Sequence, residues 1–76
     1  MLKLYHLEGC PYCLMVTEVL DAKKIPYRKI EVPAQRYLRH EVLNASGQSL
    51  VPVLVDGDKV MKDEEEILEY LRIKYP

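Results

Sequence analysis

The sequence predicts an α/β fold, a four-stranded mixed sheet flanked by three helices, and three observations carry that prediction. Two short strand patterns, Leu2–His6 and Tyr27–Val32, are separated by one stretch of helical periodicity, which reads as a right-handed parallel βαβ unit. Asp56-Gly57-Asp58 joins two further strand-like runs into a hairpin. An amphipathic segment opening at Asp63, with a cap of its own, completes the pattern.

Leu2–His6 is apolar-rich and bounded by Glu8-Gly9, so it delivers the chain into Cys10-Pro11-Tyr12-Cys13. Pro11 suits a helix start. Leu14, Met15, Val19 and Leu20 recur at helical spacing as the apolar face, Thr17, Glu18 and Asp21 take the other, and Lys23 and Lys24 suit the negative end before Pro26. Tyr27–Val32 alternates polar and apolar residues as a second strand. Pro33–Leu43 reads as a second helix, with Ala34, Leu38 and Val42 at fourfold spacing, ended by Asn44-Ala45-Ser46-Gly47. Leu50–Val55 and Lys59–Met61 are the hairpin strands, because Asp-Gly tolerates the positive φ of a tight turn. Asp63 caps the last helix with Glu66 three residues on, and Ile67, Leu68 and Leu71 form its buried stripe. The order βαβ, helix, ββα is that of a minimal thioredoxin fold, expected to fill residues 1–76 as one domain.

Seventy-six residues bury only about 60% of the surface of the unfolded chain. With no Trp or Phe, the core falls to Tyr, Leu, Ile and Val. Eleven basic and twelve acidic side chains leave a net charge of -1 with no basic stripe, which argues against a nucleic-acid partner. No apolar run approaches the ~20 residues of a membrane span, and the opening residues lack a signal peptide's apolar stretch, so a cytoplasmic monomer without membrane attachment is expected.

Both cysteines lie in the one motif, Cys10 and Cys13. A Cys-x-x-Cys pair serves zinc as readily as redox chemistry, so its surroundings decide. Here it follows a strand and opens a helix. Unpaired backbone N–H groups and the positive helix end should stabilise a thiolate on Cys10, while Cys13, inside the first turn, should be more buried and placed to resolve a mixed disulfide. Zinc held by the pair needs two more ligands, and only His6 and His40 are available as histidines, so no metal is expected. A purely structural disulfide across so short a loop stabilises weakly. Glu8, if close, opposes the helix-end effect on Cys10, and His6 at the end of the first strand is a candidate to tune it.

The run Gly9-Cys10-Pro11-Tyr12-Cys13 after a strand and before a helix, followed later by Leu50-Val51-Pro52, resembles the glutaredoxins over the whole chain. The resemblance implies a glutathione-dependent thiol–disulfide oxidoreductase with Cys10 and Cys13 catalytic and no bound cofactor. It implies glutathione as reductant and disulfide-containing proteins as substrates. It also implies a cis Val51-Pro52 bond whose backbone pairs with glutathione, with Pro11 and Tyr12 beside it. The N-terminus of the last helix, Asp63 and Glu64, would receive the γ-glutamyl carboxylate. Val51-Pro52-Val53-Leu54, Asp56-Gly57, Ile67-Leu68-Glu69-Tyr70-Leu71 and Tyr75-Pro76 also look like the N-terminal domain of glutathione transferases, in which a helical domain follows. With its cysteine pair and its end at Pro76, the chain is expected to be a stand-alone reductase.

This chain departs from the glutaredoxin pattern in two places. Met61-Lys62 stands where that family has Gly-Gly, and His6-Leu7-Glu8 where it has a lysine. The run Asp63-Glu64-Glu65-Glu66 also puts carboxylates where an anion should dock, although each is favourable at a helix N-terminus by roughly 0.3–1 kcal/mol. Arg36, Arg39 and His40 are the cations available to a glycine carboxylate. Tyr5, Tyr27, Tyr37, Tyr70 and Tyr75 fit strand and helix packing. Two alternatives stay open: a thioredoxin-like redoxin reduced by thioredoxin reductase, and a transferase-type binding module without turnover.

Overall fold

A strand pattern that is apolar on both faces has to lie inside a sheet covered on both sides, and Leu2–His6 does. A computed structural model describes Leu2 to Pro76, with the sheet order β2-β1-β3-β4. Strand β1 spans Leu2–His6, β2 Tyr27–Glu31, β3 Val53–Asp56 and β4 Lys59–Met61. β1 pairs with β2 in parallel and with β3 in antiparallel, and β3 with β4 in antiparallel. Helix α1 spans Pro11–Ala22, α2 His40–Ser46 and α3 Glu64–Lys74, with a single 3-10 turn at Arg36–Leu38. The predicted α/β order and mixed sheet are therefore present.

Two apolar layers cover the sheet. Leu2 and Leu4 of β1 pack with Val16, Leu20, Leu54, Met61, Ile67 and Leu71 beneath α1 and α3. Tyr5, Val32, Val42 and Val53 form a smaller cluster on the α2 face. Among the described residues, no helix is long and apolar enough to cross a membrane.

Several local expectations need correction. In α1 the buried face is Cys13, Val16, Thr17 and Leu20, whereas Leu14 and Met15 are exposed. The helix is rotated from the expected stripe because Val16 and Leu20 pack into the core cluster with Leu4, Leu54, Ile67 and Leu71, which leaves Leu14 and Met15 outside. Lys23 and Lys24 lie beyond the last turn, and Lys23 Nζ instead reaches the Tyr75 carbonyl at 2.6 Å.

The expected helix over Pro33–Leu43 is broken at Arg39, whose φ of -86° and ψ of 58° leave the helical region. Its guanidinium turns inward and donates to the carbonyls of Pro33 (2.7 Å), Ala34 (3.0 Å) and Ser49 (2.8 Å). Ala34, Leu38 and Tyr37 are consequently exposed, contrary to the expected packing, while Val42 is buried. α2 runs on through Ser46 and ends at Gly47, whose φ of +78° is left-handed backbone that glycine takes without a Cβ clash. Strand β3 starts at Val53 rather than Leu50, since Pro52 has no N–H to give a ladder. The Leu50–Pro52 segment is held by Arg39 at Ser49 and by Gln48 Nε2, which donates to the Lys62 carbonyl at 2.8 Å.

Candidate functional site

Strand register determines which loops meet. Leu4 of β1 lies opposite Leu54 of β3, and Leu54 opposite Met61 of β4. Hence the C-terminal end of β1, the start of β3 and the end of β4 share one edge of the fold. From that edge emerge the loop into Cys10, the Val51-Pro52 segment and the first turn of α3. One more step of the β1–β3 register brings Pro52 level with His6.

The entry to Cys10 is a tight turn. Cys10 N–H donates to the Leu7 carbonyl at 3.1 Å, with Gly9 at the third position and φ +86°. Only a residue free of Cβ adopts that φ readily, which explains glycine there. Cys10 is the N-cap of α1 (φ -78°, ψ 117°), Pro11 supplies the first helical residue, and Cys10 Sγ accepts a hydrogen bond from Cys13 N–H at 3.4 Å. No acidic residue lies in this first turn. Cys10 is partly exposed and Cys13 buried, both as free thiols. Burial pushes the Cys13 thiol up to about 12; the Leu7 backbone opposes the rise, and the neighbouring Cys10 sulfur adds to it. Cys13 is therefore a protonated thiol at neutral pH.

Tyr12 is 54% exposed beside the pair. Val51 is half-buried, Pro52 fully buried, and the bond between them is cis, as the resemblance implied. Asp63 caps α3 by accepting from Glu66 N–H at 2.8 Å, and Glu66 Oε1 accepts from Lys62 N–H at 3.0 Å. Glu64 is half-buried in the same first turn. Arg39 is committed to backbone carbonyls, so the expectation that it faces a ligand is corrected; Arg36 and His40 remain exposed.

A small cleft of about 90 Å³ opens against the pair, walled by His6, Glu8, Cys10, Cys13, Thr17 and Lys29. Tyr12, Val51, Pro52, Asp63 and Glu64 do not line it. Sequence reasoning missed Thr17, Lys29 and, beside them, Glu31. His6 and Glu31 are register partners across the parallel β1–β2 pair, a relation that spacing along the chain does not reveal.

Comparison with known proteins places this geometry. Residues 4–76 match the family described as glutathione S-transferase, N-terminal domain. The chain is 34% identical over 62 residues to an uncharacterized glutaredoxin-like 8.6 kDa protein of Clostridium pasteurianum, covering 80% of this chain and 83% of that one. It is 33% identical to glutaredoxin 1 of Rickettsia bellii, covering 71% of this chain and 60% of that one. A glutathione S-transferase structure from the Antarctic clam Laternula elliptica superposes with a TM-score of 0.88 at 32% identity, covering 99% of this chain and 35% of the clam enzyme. Glutaredoxin 2 of Salmonella typhimurium, in complex with glutathione, superposes with a TM-score of 0.80 at 25% identity, covering 93% of this chain and 32% of that one. The chain thus spans most of the clostridial protein but only about a third of the transferase. A thioredoxin fold, this match across nearly the whole chain and the glutaredoxin-like relatives together mean that the chain belongs to the glutathione S-transferase N-terminal domain family, within the thioredoxin-like group that includes glutaredoxins.

Proposed function

We propose that this chain is a glutaredoxin-like thiol–disulfide oxidoreductase that uses Cys10 as nucleophile and Cys13 as resolving thiol, with glutathione as reductant. The observation that carries this reading is the division of labour within one helical turn: a partly exposed sulfur at the N-cap and a buried, protonated thiol three residues on.

The Cys10 thiolate attacks one sulfur of a glutathione mixed disulfide, forms a new S–S bond, and releases the substrate thiolate, which takes a proton from solvent. A second glutathione thiolate then attacks the Cys10–glutathione disulfide, giving oxidised glutathione and restoring the Cys10 thiolate. With a protein disulfide, Cys13 attacks the mixed disulfide instead. Its proton passes to the departing thiolate, and the Cys10–Cys13 disulfide that remains is reduced by two glutathione molecules. Each cycle moves two electrons.

The edge of the sheet where the Cys10 loop, Val51-Pro52 and α3 converge supports a peptide thiol as ligand, with the Val51 backbone, Tyr12 and the first turn of α3 as its contacts. The Salmonella relative binds glutathione, which makes glutathione the thiol to test first. A reducing compartment such as the cytoplasm suits this chemistry, and residues 1–76 would act as one monomeric domain.

The test is to oxidise the protein and follow the Cys10–Cys13 disulfide by peptide mapping, with glutathione or thioredoxin reductase in separate reactions. Reduction by glutathione, with turnover lost in Cys10→Ser, supports the proposal. Reduction by the reductase alone replaces it with a thioredoxin-like redoxin. The match of residues 4–76 to a transferase N-terminal domain favours one other reading, a glutathione-binding module without turnover. Glutathione binding that survives Cys10→Ser/Cys13→Ser, in a parent chain inert to both donors, would establish that reading.

A further inference from the structure

At the mouth of the cleft, on the β2 side, His6, Glu8 and Glu31 each offer a ligand atom, and the three atoms lie within 4.8 Å of one another. His6 is 4% exposed, whereas both glutamates are exposed. His6 Nε2 is 2.9 Å from Glu31 Oε1, yet the approach is off the direction a ring N–H would need, and this buried nitrogen has no hydrogen-bond partner among the described residues. A buried polar atom left in that condition is costly, so the arrangement calls for an explanation.

An ion pair explains it only if the ring is protonated. A cation between the two groups explains both the short separation and the absence of a hydrogen bond. Ligand atoms about 2.0–2.2 Å from one zinc ion, at angles near 90–109°, stand roughly 2.9–3.5 Å apart. Glu31 is already oriented, because its Oε2 accepts from Glu8 N–H at 2.8 Å and so leaves Oε1 facing the imidazole. Two carboxylates drawn together also repel each other, a cost that a dication removes. Lys29 is the cation among the residues lining the cleft, and it makes no ion pair among the described residues.

We propose that His6 Nε2 with the carboxylates of Glu8 and Glu31 forms a site for a divalent first-row transition ion such as zinc, completed by water. One imidazole with two carboxylates suits zinc and its neighbours rather than magnesium or calcium, which take oxygen-only sets. The site shares its cleft with the cysteine pair but uses neither thiol, and it does not rest on the redox reading.

The experiment is zinc titration of the Cys10→Ser/Cys13→Ser protein, in which no thiolate can ligate the ion, by calorimetry and by competition with a chromogenic chelator. The expected result is one zinc ion per chain, weakened about tenfold or more in Glu31→Gln and in Glu8→Gln. Both glutamates are exposed, so these variants keep the fold, whereas His6→Asn alters a buried position; far-ultraviolet circular dichroism checks each one. The proposal is overturned if the double-serine protein takes up no stoichiometric zinc, if Glu31→Gln binds as tightly as its parent, or if equimolar magnesium displaces the ion.

Discussion

Helices α1 and α3 both start at the same edge of the sheet, and their first turns are built in opposite ways. α3 opens with the Asp63 carboxylate as cap and with Glu64, Glu65 and Glu66 in its first turn. Asp63 receives the Glu66 N–H at 2.8 Å, and Arg72 and Lys74 occupy the last turn, so both ends of its dipole are answered. α1 opens with a thiol that receives the Cys13 N–H at 3.4 Å and has no acidic residue in its first turn. One helix end is used up in stabilising the fold. The other keeps its positive field free, and in the proposed reaction that field would favour the Cys10 thiolate. On the proposed function, the difference teaches that the poorer cap is the functional one, and that an anionic ligand would meet at α3 a helix end that is already neutralised.

The largest effect expected from this contrast is in Cys10→Ser. Disulfide reduction should fall to background in a coupled glutathione assay, while stability to urea should rise by up to about 1 kcal/mol, because a hydroxyl is the better cap. A loss of both activity and stability would break the comparison.

Cys13 should sharpen it through pH. Its thiol is raised to about 12 by burial, so the folded chain holds that proton where the unfolded chain, with a cysteine near 8.5, has lost it. Its stabilising effect is complete below about pH 8.5 and is lost as pH rises toward 12, at a slope of at most about 1.4 kcal/mol per pH unit. Denaturation of reduced protein across that range, compared with Cys13→Ala, isolates the slope from the tyrosines that also titrate there.

Asp63→Ala should cost about 1 kcal/mol of stability, whereas Asp63→Asn keeps the cap, removes the charge and should lower the KM for a glutathione mixed disulfide by about two- to fivefold. An unchanged KM in Asp63→Asn would show that the acidic turn does not meet the ligand.

The smallest effect lies at the far end of α3. There Lys74 Nζ is 2.7 Å from Asp56 Oδ2, and Tyr70 donates to the same oxygen. The Lys74 and Tyr70 hydrogen bonds hold the Asp56 carboxyl below the ordinary carboxylate range. That contribution is present above about pH 4 and disappears as pH falls through the lowered value. Asp56→Asn should therefore flatten the acid limb of the stability profile slightly, since Lys74 stays half-exposed to solvent that screens the pair.

Elements specified by near neighbours were legible in the sequence. Strand β1 and strand β4 occupy the predicted residues, Asp63 caps α3, Pro11 begins α1 and Gly57 turns the hairpin with φ +61°. Each depends on backbone preferences and hydrogen bonds that span a few residues. The pairing of Cys10 with a more buried Cys13 belongs to the same class, because it follows from helix geometry at the motif.

Tertiary structure decided the rest. Periodicity assigned Leu14 and Met15 to the core, but packing against β1, β3 and α3 turns Val16 and Leu20 inward instead. Arg39 read as a surface cation, yet three carbonyls from two loop segments, Pro33-Ala34 and Ser49, converge on it where the helix is broken. His6 was visible as a lone histidine, whereas its meeting with Glu31 required the parallel register of β1 and β2. The sequence by itself determined which elements form, because those forces act locally along the chain. Which side chains face one another depended on packing across the sheet, where energy comes from surfaces far apart in sequence.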